Sequence, residues 1–148
     1  MPLVVRRGRE TDRPALESLE LETVKRFPTR VRWLETFREL VSTSLEAEPE
    51  GFLVADYDGR AIGMAVARVG ASHPLTGQRV GRLELLSVAP TWRAQGVGDR
   101  LLREAEAYLK AQGCQVVTFS LPADAGADGE ALKAAGFRVA GWELEKSV

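Results

Sequence analysis

Residues 83–102, LELLSVAPTWRAQGVGDRLL, place a glycine-containing turn between an apolar run at 83–88 and a helical pattern that begins near Val97. In this turn Gly96 and Gly98 let backbone N–H groups approach an anion closely. A helix that starts at the turn directs its positive end and its unpaired N–H donors to the same place. The stretch therefore predicts a strand, a pyrophosphate cradle and a helix, in that order.

Two other phosphate-binding motifs fit this turn poorly. A P-loop requires Lys and Ser or Thr after its last glycine, where this chain has Asp99 and Arg100. A dinucleotide-binding fingerprint requires a small residue at position 101, which is Leu101, and it lies early in a βαβ unit. Glycine-rich turns between strands and helices also occur simply as turns, so the flanking residues must decide.

The longer pattern at 86–102 resembles the acetyl-CoA-binding motif of the GNAT N-acetyltransferase superfamily. That motif consists of a strand, a turn containing proline, the sequence Arg/Gln-x-x-Gly-x-Gly/Ala and a helix, and all four parts occur here with Pro90 in the turn. A second match lies at Gly136 and Phe137, where the family usually has Gly-Phe before its last strand. The resemblance implies a single GNAT-like domain over residues 1–148.

The resemblance also implies acetyl-CoA as the co-substrate and an N-acetyltransferase activity toward a primary amine. The strands at 80–88 and 115–121 would splay apart, and the pantetheine arm would fill the gap between them. The backbone of the first strand would bond the pantetheine amides and the thioester oxygen, and amides of the turn would hold the pyrophosphate. The implied cofactor-binding residues are Leu86, Ser87, Val88, Arg93, Ala94, Gln95, Gly96, Val97 and Gly98.

Transfer to an alkyl amine requires a base, because such an amine has a pKa of about 10 and is mostly protonated at neutral pH. The family often uses an acidic residue or an ordered water on the strand at 80–88. Glu84 is the candidate, acting directly or through a water, and regular strand alternation places it on one face with Leu86 and Val88. The alternative interpretation is that Glu84 is an ordinary glutamate whose side chain is solvated and has no catalytic role.

Two positions depart from the family pattern. Many members have a tyrosine where this chain has Leu132, and that tyrosine protonates the departing thiolate. An asparagine that commonly contacts pantetheine corresponds to Ala125. A non-catalytic module that binds acyl-CoA is therefore the alternative to an enzyme, and an acyltransferase for a longer acyl-CoA is a further one.

The remaining patterns predict an α/β fold in which a central mixed sheet is flanked by helices, in the order β-αα-βββ-α-β-α-β. Asp12 is the expected cap of the first helix, which Pro28 ends, and Asp58-Gly59 is a strong hairpin signal. A helix between two strands favours their parallel pairing. The strands are expected at 3–7, 52–57, 61–69, 80–88, 115–121 and 137–145. The other three helices are expected at 29–43, from near Val97 to a stop at Gln112-Gly113, and at 128–135.

Composition limits the partners and the location. The single cysteine, Cys114, cannot form an internal disulfide. No apolar stretch reaches the roughly 20 residues of a membrane span. A cytoplasmic protein without a membrane partner is therefore expected. The net charge of −1 with interspersed signs argues against nucleic acid as a partner. His73 is the only histidine, and no metal is expected.

The acceptor is less defined than the donor. Many acidic residues on the first two helices slightly favour a cationic small molecule or a peptide amine, although solvated helix faces explain them equally well. Trp33 is a candidate either for helix packing or for contact with the substrate, because in the GNAT family those helices often form a wall of the acceptor pocket. Pairing of exposed strands into a homodimer is compatible with that family.

Overall fold

A five-stranded mixed sheet organises the chain. The computed structural model describes residues 3–25, 32–121, 127–141 and 143–148. The strands lie side by side in sequence order, and each neighbouring pair is antiparallel except the last, which is parallel. This arrangement confirms the predicted mixed sheet. The strands are β1 (Leu3–Arg7), β2 (Phe52–Tyr57), β3 (Arg60–Ser72), β4 (Arg79–Val88) and β5 (Val116–Phe119).

In the part of the chain that the structure describes, four α-helices cover the two faces of the sheet. They are α1 (Arg13–Val24), α2 (Trp33–Ala47), α3 (Val97–Ala111) and α4 (Ala127–Ala134). Helix α3 connects the parallel strands β4 and β5, as predicted. The helix predicted at 29–43 extends to Ala47, and Pro28 and the first residues of that prediction lie outside the described residues.

The strand alternation divides the core in two. Along β2, Leu53 and Ala55 point to the face that α3 covers, whereas Phe52 and Val54 point to the face that α1 and α2 cover. We call these the α3 core and the α1–α2 core. The α3 core includes Leu83, Val97, Leu101, Leu102, Ala105, Leu109 and Leu132. The α1–α2 core includes Leu16, Leu19, Phe37, Val41, Met64 and Val66.

The turn between β2 and β3 has the geometry that its sequence predicts. Asp58 and Gly59 have φ angles of 52° and 83°, as a tight hairpin requires. Asp56 Oδ1 accepts a hydrogen bond of 2.8 Å from the Gly59 N–H. The antiparallel meander therefore starts where the Asp-Gly pair indicated.

Asp12 does not cap α1 with its side chain, so this prediction is wrong. Asp12 instead accepts two hydrogen bonds from the Arg6 guanidinium, at 2.8 and 2.9 Å, and one from the Arg9 N–H. These bonds hold the pKa of the Asp12 carboxyl below its usual range, mainly through the Arg6 bond. A partly buried guanidinium that forms two hydrogen bonds competes better for the carboxylate than a helix terminus does.

The predicted strand at 137–145 is also wrong for the part of it that the structure describes. No described residue after α4 belongs to a strand, so the order ends β-α-β-α. Val139 and Leu144 are 76% and 88% exposed. Alternating apolar residues form a strand only when they pair and bury one face, and this segment does neither.

One close approach between the helical layer and the sheet yields a stability prediction. A Cβ built on Gly51 would lie 2.1 Å from the Ala67 carbonyl oxygen, a backbone atom of β3 that cannot turn away. Gly51→Ala is expected to destabilise the fold by about 1–3 kcal/mol, as overpacking does. Urea unfolding measures the change.

Gly141→Ala is the matched control, because a Cβ there meets nothing within 4 Å. It should change the free energy of unfolding by less than about 0.5 kcal/mol. Equal stabilities of the two variants would contradict the crowding at Gly51.

Candidate functional site

The cleft of interest lies where β4 and β5 stop pairing. The two strands are in register only from Val80 opposite Val116 to Leu83 opposite Phe119. Strand β4 continues to Val88 and stays paired with β3 on its other side. Among the described residues, the edge of β4 from Glu84 to Val88 therefore has no strand partner on the β5 side, which is the predicted separation of the two strands.

A β-bulge at Glu84 marks the point of separation. Val66 pairs with Leu85 and Ala67 with Leu83, so Glu84 has no partner on β3. A bulge increases the local twist of the strand. It also breaks the regular alternation that grouped Glu84 with Leu86, because Leu83 packs in the α3 core and Leu85 packs against the α1–α2 core.

The separated strands enclose a cavity of about 480 Å³. It runs from the turn before α3, along the free edge of β4, to the inner face of α1. Apolar side chains of β5 and α4 form the opposite wall. The lining residues include Glu20, Thr23, Val24, Glu84, Leu86, Ser87, Val88, Arg93, Ala94, Gly96, Gly98, Asp99, Phe119, Leu121 and Leu132.

The turn before α3 presents free amides to this cavity. Ala94 and Gly96 have φ angles of 64° and 81°, in the left-handed region, and α3 begins at the next residue, Val97. Among the residues that the structure describes, none accepts a hydrogen bond from the amides of residues 94–98. Such a row of unpaired N–H groups at a helix start is suited to an anion.

Two side chains of the turn fold back onto its own backbone. Arg93 Nε donates to the Val88 carbonyl at 3.3 Å, and Gln95 Nε2 donates to the Thr91 carbonyl at 2.9 Å. Of the nine predicted cofactor-binding residues, only Gln95 and Val97 do not line the cavity; Val97 is 2% exposed and packs in the α3 core. The structure thus brings seven of the nine together at one cavity.

The predicted base, Glu84, lines the same cavity. Its Oε1 lies 3.4 Å from Arg82 Nε on the same strand, and 30% of its side chain is exposed. Arg82 in turn donates to the Ser120 hydroxyl beyond the end of β5. Glu84 is therefore accessible from the cleft but also has a cationic neighbour.

A second carboxylate, Glu20 of α1, lies in the cavity; the sequence indicated it only as one of the many acidic residues of the first two helices. It is 5% exposed, and its Oε2 accepts a hydrogen bond of 2.8 Å from the Ser87 hydroxyl. The signal was present, since Glu20 follows Leu16 by four residues and so lies on the buried face of α1. It was hidden because glutamates on helices are usually solvated.

The environment of Glu20 changes its titration. Burial raises the pKa of the Glu20 carboxyl, and the hydrogen bond from Ser87 opposes that shift only in part. No cation of the described residues forms an ion pair with Glu20. A buried carboxylate without a cationic partner is costly, and such groups concentrate at functional sites.

The departures from the family pattern have a structural counterpart at Leu132. Its apolar side chain lines the cavity and packs in the α3 core, so it supplies no proton there. Ala125 lies outside the described residues. Neither tyrosine replaces the missing donor, since Tyr108 donates to Glu48 Oε2 at 2.7 Å and Tyr57 stacks on Trp92 at a centroid distance of 4.6 Å.

Cys114, His73 and Trp33 stay outside the site. Cys114 packs in the α3 core, His73 accepts hydrogen bonds from its own loop, and Trp33 packs against Phe37 at 6.3 Å. In the described ranges no three His, Cys, Asp or Glu residues come together as a metal site requires. None of the helices in these ranges has the length and apolarity to cross a bilayer.

Comparison with known proteins agrees with this geometry. A model of the acetyltransferase (GNAT) family matches residues 15–137. The uncharacterized N-acetyltransferase YjhQ of Escherichia coli (strain K12) is 31% identical over 98 residues, which cover 64% of this chain and 54% of YjhQ. The match thus spans about half the length of that relative.

Solved structures show the same fold over the whole chain. A transcriptional regulator from Bacillus halodurans C-125 superposes with a TM-score of 0.79 at 18% identity, covering 99% of this chain and 100% of the other. The aminoglycoside N-acetyltransferase AAC(6')-Iy in complex with CoA superposes with a TM-score of 0.74 at 19% identity, covering 98% of each chain. At these identities the likeness establishes the fold.

The chain belongs to the acetyltransferase (GNAT) family, since the family model covers most of its length. The family and fold predicted from the motif at 86–102 are confirmed. The matched residues include the whole of β4 and the turn before α3.

The raised pKa of Glu20 predicts a pH-dependent effect of Glu20→Gln on stability. A raised carboxyl pKa contributes stability that is complete below the ordinary value of 4.5 and is lost as pH rises through the folded-state pKa. Glutamine keeps an acceptor for Ser87 and never ionises. The variant should match wild type near pH 4.5, and its free energy of unfolding should exceed that of wild type at pH 8.

Urea unfolding at several pH values between these limits measures this difference. Glu22→Gln, on the solvent face of the same helix, is the control and should show no such growth with pH. A difference for Glu20→Gln that stays constant from pH 4.5 to pH 8 would contradict the raised pKa.

Proposed function

We propose that this protein transfers the acetyl group of acetyl-CoA directly to a primary amine of a small molecule or peptide. The observation that carries the proposal is the continuous path from the free amides of residues 94–98 to the unpaired edge of β4. An extended chain with a pyrophosphate at one end and a thioester at the other matches that path. Family membership supports the same donor.

The free edge of β4 gives the donor a place to bind as a surrogate strand. Backbone groups of Leu86, Ser87 and Val88 pair with β3 on one side, and their outward-facing groups line the cavity on the other. A backbone N–H directed at the thioester oxygen would stabilise the oxyanion of the tetrahedral intermediate. In comparable sites this effect is worth on the order of 3 kcal/mol.

Glu84 is the proposed base, acting directly or through a water that it orients. The neutral amine attacks the thioester carbon, the C–N bond forms, the C–S bond breaks, and the base takes the proton that the amine nitrogen loses. The position of Glu84 at the bulge supports this role, because it is where the donor cleft begins. Positioned proton transfer of this kind contributes about 10²–10⁴-fold.

The leaving thiolate does not need a tyrosine. A thiol with a pKa of about 8.5, as for cysteine, is a tolerable leaving group near neutral pH, and water can return its proton. The apolar Leu132 in the cavity wall is the observation that favours the alternative, a module that binds acyl-CoA without turnover. Release of CoA in proportion to an added amine separates the two.

We propose that residues 1–148 act as one catalytic domain and that the protein works in the cytoplasm on a small-molecule or peptide amine. A homodimer built on the exposed sheet edges, β1 and β5, is compatible with the fold. Neither nucleic acid nor a membrane is proposed as a partner.

Gly96→Glu tests the cradle. A Cβ at Gly96 meets nothing within 4 Å, so the variant adds a negative charge to the cradle without a clash. Repulsion of the pyrophosphate is expected to weaken acetyl-CoA binding at least about 100-fold, a loss near 3 kcal/mol. Calorimetry on wild type and variant measures it.

Gly77→Glu is the matched control, because Gly77 also has a positive φ and open space but lies in the turn before β4. Both variants then have the same kind of backbone strain, so a difference between them reports the position of the added charge. If the two variants have equal affinity for acetyl-CoA, the turn at residues 94–98 does not hold the pyrophosphate. If wild type does not bind acetyl-CoA, the proposed function is wrong.

Glu84→Gln tests the base. Loss of the proton acceptor is expected to lower kcat about 10²–10⁴-fold with the acetyl-CoA affinity unchanged. The rate of CoA release across an amine panel gives kcat, and it is recorded as a function of pH. Glu104→Gln, on the exposed face of α3, serves as the control. An unchanged rate and pH profile would remove Glu84 from the mechanism.

A further inference from the structure

The end of the cavity opposite the pyrophosphate cradle has a polar surface that the donor does not need. Glu20 and Thr23 lie one turn apart on α1, and both line the cavity. Val24 of the same helix and Glu84 of the bulge complete this end. An extended donor that pairs with the β4 edge reaches Ser87, and Ser87 is the residue that joins β4 to Glu20.

The Glu20 carboxylate has a hydrogen bond that holds it in place, but it has no cationic partner among the described residues. Ser87 donates to its Oε2, whereas its Oε1 accepts no hydrogen bond from the described residues. No cationic side chain of those residues approaches it. A carboxylate that is 5% exposed with one oxygen unused can bind a cation from the cleft.

Thr23 supplies an independent observation at the same place. Its Oγ1 is buried and has no hydrogen-bond partner among the described residues. Buried hydroxyls are almost always paired, so an unpaired one beside a cavity marks a missing partner. A hydroxyl can accept a bond from an ammonium while the Glu20 carboxylate takes another.

The charges around the cavity select the sign of the ligand. The ionisable side chains that line it are Glu20, Glu84, Asp99 and Arg93, which sum to an excess of negative charge. Arg93 lies at the pyrophosphate end, where it donates to the Val88 carbonyl. The end formed by α1 therefore attracts a cation and repels a carboxylate.

We propose that Glu20 and Thr23 form the binding site for the acceptor, a protonated primary amine that carries no carboxylate. This inference rests on the proposed function and names the acceptor class for the same cleft. The ammonium binds to Glu20 Oε1 and Thr23 Oγ1, beside the part of β4 where the thioester would lie. Glu84 or its water then takes one proton from the bound ammonium and releases it to solvent, so that it can accept the second proton, which the nitrogen loses as the C–N bond forms.

Glu20→Gln tests the site in the full-length protein. Pentylamine is the probe, and its binding to the CoA-saturated protein is followed by NMR titration. The variant keeps an acceptor for Ser87 but loses the charge, so the affinity for pentylamine should fall about 10- to 100-fold. Its acetyl-CoA affinity should stay within twofold of wild type. In turnover assays the effect should lie in KM for the amine, in contrast to the kcat effect of Glu84→Gln.

A matched pair of amines gives a readout that a structural role would not move. 6-Aminohexanoate is pentylamine with a carboxylate on its far carbon, and the two have similar amine basicity. Wild type should bind 6-aminohexanoate more weakly than pentylamine, and Glu20→Gln should reduce this discrimination. Thr23→Val should weaken pentylamine binding several-fold, and Glu22→Gln on the outer face of α1 should leave it unchanged.

The outcomes separate the two proposals. If wild type fails to bind acetyl-CoA, the proposed function is wrong and this site is wrong with it. If acetyl-CoA binds but pentylamine does not, or if pentylamine binds equally to wild type and Glu20→Gln, only the ammonium site is overturned. A selective loss in Glu20→Gln, with the donor affinity retained, supports it.

Discussion

The unequal pairing of the two edges of β4 is the constraint on which the rest of the site depends. One edge is bonded to β3 from Arg79 to Val88, and the other is bonded to β5 only as far as Leu83. The bulge at Glu84 adds one residue at the point where the parallel ladder ends. Backbone groups beyond it must find partners other than a strand, because unpaired buried amides and carbonyls are costly.

The two layers of helices contribute different chemistry to this one opening. Helix α3 packs its apolar face on the sheet through Leu101, Ala105 and Leu109, which fixes its first turn and the free amides there at one end of the cleft. Helix α1 packs through Leu16 and Leu19, which brings Glu20 and Thr23 of its inner face to the other end. The sheet holds the two ends apart by the length of the β4 edge.

Local patterns were predictive where a single element decides the conformation. The Asp58-Gly59 turn, helix α3 and the crossover to β5 follow from turn chemistry and apolar periodicity. Local patterns gave wrong predictions where a partner that is distant in the sequence determines the conformation. Asp12 binds Arg6 instead of capping α1, and the segment with Val139 and Leu144 finds no strand to pair with. Regular alternation likewise did not anticipate the bulge at Glu84.

The sequence by itself determined the family, the mixed sheet and the position of the cradle, because the motif at 86–102 encodes a strand, a turn and a helix through local conformational preferences. Only the tertiary structure decided which carboxylates share the cleft. Glu20 and Ser87 are 67 positions apart in the chain, and they meet because α1 and β4 pack together over the α1–α2 core. Burial, rather than residue type, turns this glutamate from a solvated helix residue into a candidate ligand for an amine.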